Sequence, residues 1–264
     1  MHVVAIAELA TPIEVEAAAL AVDLGTTAYE ERLKLAAGLP AIVLTSADPS
    51  PARELVAKVR RRGHGVVSCD AAEVVPTGAM ISLRRFTFDP ESLVASDVAG
   101  ASLHYADILA ILRASHQTRT ETHTEVKNKQ FSAGRALLTG GLMLRKTVSG
   151  DEKNISQERE QLCYVFRVDG GTPWVLLERG THYGGLGAEI SPSSAQNFIA
   201  TIARLRELAP SAVYDERLMN ARNAPNRPFR TGSGSSESVG VSSGSGVDLI
   251  AHLLALWIRG GRTR

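Results

Sequence analysis

Cysteine is nearly absent from this chain. Cys69 and Cys163 are its only two, each inside an apolar run (VVSCD, QLCYVF), so the expectation is buried free thiols rather than a disulfide framework or a zinc site. Aromatic residues are few as well, 5% of the total. That leaves the core to Val, Leu, Ile and Ala and offers little for stacking single-stranded bases. Charge of one sign is also missing: 29 Lys and Arg stand against 28 Asp and Glu, a balance that argues against a dedicated nucleic-acid binder or a disordered acidic partner. No hydrophobic run approaches the roughly 20 residues of a membrane helix. The opening MHVVAIAELATPIEVEAAALAV has no basic leader and is interrupted by Glu8, Glu14 and Glu16, so a reducing cytoplasm is the expected location.

At 264 residues the chain is long enough for two modest domains or one large one. His2 to Leu9 reads as a short buried strand. Thr11 is placed to cap a helix with Pro12 at its first position and Glu14 at capping-box spacing, and Gly25 ends that helix after Leu24. Thr26 or Thr27 opens a second helix through Ala37, and AIVL follows as a strand or short buried segment. Ser50-Pro51 opens a third helix with Ala52, Leu55, Val56 and Val59 at core spacing. Its last turn is cationic, which suits the carbonyl end of a helix dipole. Gly65 to Asp70 is the returning strand, and the unit closes near Pro76.

The runs AALAVDLGTTAYEERLKLAAGLPAIVL and PARELVAKVRRRGHGVVSCD resemble the C-terminal domain of the bacterial ribosomal stalk protein. The Clp protease adaptor for N-terminal degrons shares that fold, and its strand–Thr–Pro–helix opening is similar to ELATPIEV here. The resemblance implies a fold and not an activity. The adaptor's Asn-Asp-Asp cluster falls on Ala7, Glu8 and Leu9, and the stalk domain's lysine-bearing turn falls on Thr26 to Arg32, where Arg32 alone is basic.

From Met80 the texture changes. MISLRRFTF, HYADILAILRAS, TRTETHTEVK, ALLTGGLMLRKTV, EQLCYVFRV and TPWVLLERG read as strands separated by turn residues. SPSSAQNFIATIARLREL then reads as an amphipathic helix, with Ser193 and Gln196 at capping-box spacing, Phe198, Ile199, Ile202 and Leu205 facing inward, and Pro210 as its stop. Strands followed by one closing helix look pleckstrin-homology-like, a partly open barrel. The expected class is therefore α+β: an α/β domain over residues 1–76, an antiparallel strand-rich domain over 77–222, a Gly/Ser-rich linker over 223–246 and an apolar helix over 247–264.

Motifs of chemistry are sparse. GRALLTGGLMLRKT lacks the contiguous Gly-Lys-Ser/Thr of a phosphate loop, and Gly185 with Gly187 makes no dinucleotide fingerprint. Gly240-Val241-Ser242-Ser243-Gly244 spells a nucleophile elbow, yet it lies in low-complexity sequence without the required strand-to-helix turn. Glu121, His123 and Glu125 share one face of a strand and could hold a divalent metal, but Arg119 and Lys127 extend the same face into a solvated row of alternating charge. His116 falls on the opposite face. His182 could do acid–base work with Glu178 or Asp215 beside a pocket of Trp174 and Tyr183, although packed aromatics at a turn explain that stretch as well. No cofactor, metal or catalytic residue is assigned.

Two features suggest binding instead. Between Val126 and Thr147 lie Lys127, Lys129, Arg135, Arg145 and Lys146 with no acid, so Lys127, Lys129, Arg145 and Lys146 form a candidate site for an anion, a lipid headgroup or nucleic-acid phosphate. The acidic segment DEKNISQERE that follows could neutralise them in cis. The second feature is the tail. Twelve of the sixteen residues from Thr231 to Gly246 are Gly or Ser, which reads as a flexible tether. Beyond it, Asp248, His252, Ala255 and Arg259 form one narrow stripe on an otherwise apolar helix too short to cross a bilayer. Leu249, Ile250, Leu253, Leu254, Trp257 and Ile258 are the expected docking residues, received by the chain's own body, an identical copy or another protein. The leading expectation is a non-catalytic interaction or adaptor protein, as a homo-oligomer or with a protein partner. Binding of an anion, anionic lipid or nucleic acid comes next. An enzyme comes third, with His182 or His123 as the only candidates.

Overall fold

The computed structural model describes residues 1–131, 145–220, 224–233 and 236–262, with side chains given outside 123–153, 231–238 and 262. Contacts group the chain into two units, one of residues 1–116, 159–225 and 243–264 and a second of residues 117–158 and 226–242. This grouping follows different lines from the boundaries at 76, 222 and 246 expected above.

The first unit begins with β1 (His2–Glu8), whose five central residues are all buried, as a strand covered on both faces must be. β2 (Ala41–Ser46) and β3 (Gly65–Asp70) flank it, both antiparallel, in the order β2-β1-β3. The connecting helices are α1 (Ile13–Leu24), α2 (Ala28–Ala36) and α3 (Pro49–Arg61). Val4, Ile6 and Val66 pack with Ala17, Leu20, Leu35, Leu55 and Val59 from those helices.

Several expected caps sit one or two residues away. Pro12 itself occupies the N-cap of α1, and Thr11 makes no capping bond there. Asp48, not Ser50, caps α3 by accepting from the Ser50 N–H at 2.9 Å. Thr27 and Glu30 do form a reciprocal capping box on α2, and Gly25 closes α1 in the left-handed conformation that only glycine adopts cheaply.

A larger sheet follows, with the order β12-β13-β8-β9-β10-β4 and β11 paired to β8. Its strands are β4 (Ile81–Ser82), β8 (Ile108–Phe131), β9 (Arg145–Arg167), β10 (Trp174–Leu177), β11 (Val213–Leu218), β12 (Arg227–Ser233) and β13 (Ser236–Ser242). A smaller sheet holds β5 (Phe86–Phe88), β6 (Ser92–Ala95) and β7 (Ser102–His104). The large sheet curls into a half-barrel, and the α+β class holds.

In β9 and β10 the side chains alternate between two cores. Cys163, Val165, Trp174 and Leu176 face the smaller sheet and α4 (Ser194–Leu208), while Leu162, Tyr164, Phe166 and Val175 face α5 (Gly244–Arg262). On α4, Phe198, Ile202 and Leu205 point inward, but Ile199 is half exposed. The α4 cap departs from a strict box: Ser193 Oγ accepts from the Gln196 N–H, and the Gln196 side chain reaches Ser191 instead.

Two corrections concern the tail. The segment expected as a tether holds β12 and β13, which pair with each other and, through β13, with β8. Backbone pairing to an existing strand overrides a Gly/Ser-rich composition, because the ladder bonds do not depend on side-chain type. Phe229 lies opposite Gly240 in that hairpin, and a Cβ on Gly240 would meet the Phe229 ring at 2.4 Å. The second correction is that α5 starts at Gly244 and not at residue 247; its receiver is the chain's own body, the first of the three expected. Val247, Ile250, Ala251, Leu254 and Ala255 pack on the half-barrel, while Leu253 packs on Val3, Ala5 and Val67, the other face of the three-stranded sheet.

Candidate anion-binding cleft

A cleft of about 540 Å³ opens beside the short parallel pair of β4 and β10. The chain after β4 is held by the Leu83 N–H donating to the Val175 carbonyl, and buried Leu83 anchors it to the core. Arg84 and Arg85 follow on the surface. The second wall is the turn after β10, where Gly180 adopts a positive φ of 78° and Thr181 Oγ donates to the Leu177 carbonyl at 2.7 Å. The His182 N–H donates to the Arg84 carbonyl at 2.7 Å and ties the two walls together.

Arg84, Arg85, Arg179 and His182 therefore line one depression, with Asp97 as its one carboxylate and Leu177 as its one apolar side chain. Asp97 lies 3.9 Å from the Arg85 Nε, and both side chains are well exposed. An exposed pair at that distance contributes about 0–1 kcal/mol, too little to neutralise the Arg85 guanidinium. Arginine stays charged at any physiological pH and presents a planar fork that fits carboxylate or phosphate oxygens.

A second polar cluster lies between α5 and the connector after β3. The Asp248 carboxylate accepts from Tyr164 OH at 2.6 Å, from Thr77 Oγ at 2.5 Å and from the Thr77 N–H at 2.9 Å. One turn on, His252 Nε2 accepts from the Val75 N–H at 3.2 Å while Nδ1 donates to the Asp248 carbonyl at 2.9 Å. Burial lowers the His252 pKa, and burial together with the Asp248 charge pushes the Tyr164 hydroxyl well up. Both ring nitrogens are thus used in structure, and the polar stripe expected on the tail faces the chain's own connector. Arg259 completes it by donating to the Arg167 carbonyl at 2.9 Å.

A third cluster is buried under α1. Glu16 receives Arg62 in a bidentate pair at 2.7 and 2.8 Å, and the His64 Nε2 lies 2.7 Å from the same carboxylate while its Nδ1 accepts from the Ala10 N–H.

The expected docking residues Ile250, Leu253 and Leu254 are fully buried within the chain, and Leu249, Trp257 and Ile258 are half-buried. Lys127 and Lys129 fall on β8, and Arg145 and Lys146 on β9, but their side chains lie outside the described residues, as do those of His123 and Glu125 and all of Arg135. His116 meets Glu160 at 3.2 Å. Among the described residues no group of three or more His, Cys, Asp or Glu side chains is placed to hold a metal ion.

The expected pocket of Trp174 and Tyr183 is instead core: Trp174 is fully buried, and Tyr183 OH donates to the Glu178 carbonyl at 2.8 Å. Asp215 pairs with Arg217 at 2.8 Å, so it does not orient His182. Cys163 is a buried free thiol, as expected, whereas Cys69 is only half-buried; desolvation pushes their thiols up to about 12 and about 11. The arginine cleft escaped the sequence because its residues come from three separated stretches. The Arg84-Arg85 doublet and the Glu-Arg-Gly turn at 178–180 were its only local signals. No protein-family model, curated protein or solved structure matches this chain.

Proposed function

We propose that this chain is a non-catalytic binding protein that recognises an anionic group, phosphate or carboxylate, in the cleft of Arg84, Arg85 and Arg179. The observation that carries the reading is the convergence of three guanidinium groups on a cleft whose single carboxylate is 3.9 Å from one of them. The volume is in the range of small-molecule sites, and the polar lining favours a polar body behind the anion over an apolar one.

The test is calorimetric titration with inorganic phosphate, sulfate and acetate at low and high salt. A charge-assisted hydrogen bond contributes about 1.5–3 kcal/mol, so Arg84→Ala or Arg179→Ala should weaken binding by roughly 10- to 100-fold. Added salt should weaken it further, because the site is open to solvent. Heat changes that are identical in the wild type and in a variant carrying both Arg84→Ala and Arg179→Ala would end this reading.

The adaptor reading takes a second place. Its support is the apolar face of α5, but that face is occupied within the chain, so a partner would have to compete with the body for the helix.

A further inference from the structure

We propose that the arginine cleft takes a phosphorylated sugar or polyol, its phosphate on the guanidinium groups and its hydroxyls on Asp97, Thr181 and Ser82. The proposal rests on the anion-binding reading above and names the molecule behind the anion.

Charge decides between the two anions. Three guanidinium groups against one carboxylate leave the side chains of the lining a net charge of +2, His182 counted as neutral. A carboxylate brings one charge and two oxygens, whereas a phosphate monoester brings nearly two charges and three terminal oxygens at pH 7. Arginine forks engage such oxygens in pairs, so the monoester matches a lining of three arginines better than a carboxylate does.

Volume and hydrogen-bonding capacity describe the rest of the ligand. A phosphate group fills only a small part of about 540 Å³, which leaves room for a body attached to it. The polar groups lining that room are rich in acceptors. The Asp97 carboxylate accepts hydrogen bonds and donates none. Thr181 Oγ directs its proton to the Leu177 carbonyl at 2.7 Å, which leaves its lone pairs for a ligand. Ser82, at the end of β4, adds a hydroxyl that can donate or accept. The head of a doubly ionised phosphate ester has no proton to give these acceptors, and it is repelled by Asp97. The O–H groups of a sugar or polyol supply the missing donors and offset that repulsion with a charge-assisted bond. No aromatic ring lines the cleft, and Leu177 is its one apolar side chain. A nucleobase, an acyl chain or the apolar side chains of a peptide find no matching face there.

The experiment is calorimetric titration of the full chain at pH 8 with methyl phosphate, phenyl phosphate, glucose 6-phosphate and the capped tripeptide Ala-phosphoserine-Ala. Each phosphate is doubly ionised at that pH, so ionic attraction alone does not separate the probes. Glucose 6-phosphate should bind at least tenfold tighter than the other three, because one hydrogen bond to a charged group is worth about that factor. Asp97→Ala separates head from body, and the exposure of Asp97 makes the fold indifferent to the change. Methyl phosphate should bind this variant at least as tightly as the wild type, while the preference for glucose 6-phosphate falls at least fivefold. Phosphatidylcholine vesicles containing phosphatidylinositol 4-phosphate then identify the source. Co-sedimentation that glucose 6-phosphate competes away assigns the ester to a lipid headgroup, and its absence assigns it to a soluble molecule.

Methyl and glucose phosphates bound equally would leave the anion site standing and overturn the sugar proposal, and so would an unchanged preference in Asp97→Ala. Tightest binding of the tripeptide overturns it in favour of a phosphorylated protein. Binding of acetate with none of any phosphate probe also overturns it while sparing the anion reading; silence from acetate as well ends both.

Discussion

His252 is poised between two hydrogen bonds that fix its protonation state. Its Nε2 accepts from the Val75 N–H, which a protonated ring cannot do, and desolvation holds its pKa below the ordinary 6.5. Groups facing it include Asp248 and Arg259 on the same helix, Cys69 and Glu73 across the small cavity it lines, and the Phe166 ring edge-on at 5.1 Å. A base whose folded pKa is depressed resists a proton that the unfolded chain accepts. Stability is therefore unaffected above about pH 6.5, falls as pH drops below it, and levels off once pH passes the lower folded pKa. Thermal unfolding at pH 7.5, 6.5, 5.5 and 4.5 should show a steeper acid loss for the wild type than for His252→Gln, the difference isolating this ring from the carboxylates. Parallel pH profiles would show that the histidine is not resisting protonation. The sequence displayed half of this arrangement, since Asp248, His252, Ala255 and Arg259 stand out as a stripe. The partners stayed hidden because Tyr164 and Thr77 lie 84 and 171 residues away, and no local pattern encodes such a separation.

At the scale of elements, the sequence was read best where periodicity and glycine agree. The helices α1 to α4 and the strands β1, β3 and β10 follow from apolar spacing and from stops such as Gly25. Boundaries slipped where two residues compete to cap, as with Asp48 and Ser50. The hairpin of β12 and β13 was invisible for a different reason: a Gly/Ser string carries almost no side-chain preference, and the neighbouring β8 supplies the ladder. Gly240 nevertheless has a definite role, because the Arg119 carbonyl and the Phe229 ring both occupy the space of a Cβ. Gly240→Val should therefore disrupt the hairpin despite the higher strand propensity of valine, by something like 1–3 kcal/mol of overpacking. Amide exchange would register it as lost protection over residues 227–233 and 236–242, with α4 unchanged. Retained protection there would mean that the ring has another place to go.

For the molecule as a whole, the decisive element is α5, whose apolar composition calls for burial and whose receiver is the chain's own body. A helix apolar around most of its circumference must be buried on several sides at once, and here the sides belong to two different sheets. Leu253 fills the layer over Val3, Ala5 and Val67, whereas Leu254 fills the layer beneath Leu109, Leu162 and Tyr164. This shared helix is why the first 76 residues, which have a core of their own, do not separate from the body in their contacts. Truncating either leucine to alanine leaves a cavity costing about 2–5 kcal/mol. If the helix couples the sheets, Leu253→Ala and Leu254→Ala should each lower the same calorimetric transition of this first unit, because neither layer can melt without exposing the helix that seals the other. Two resolved transitions, with Leu253→Ala moving only one of them and Leu254→Ala only the other, would mean that α5 touches both sheets without joining their folding.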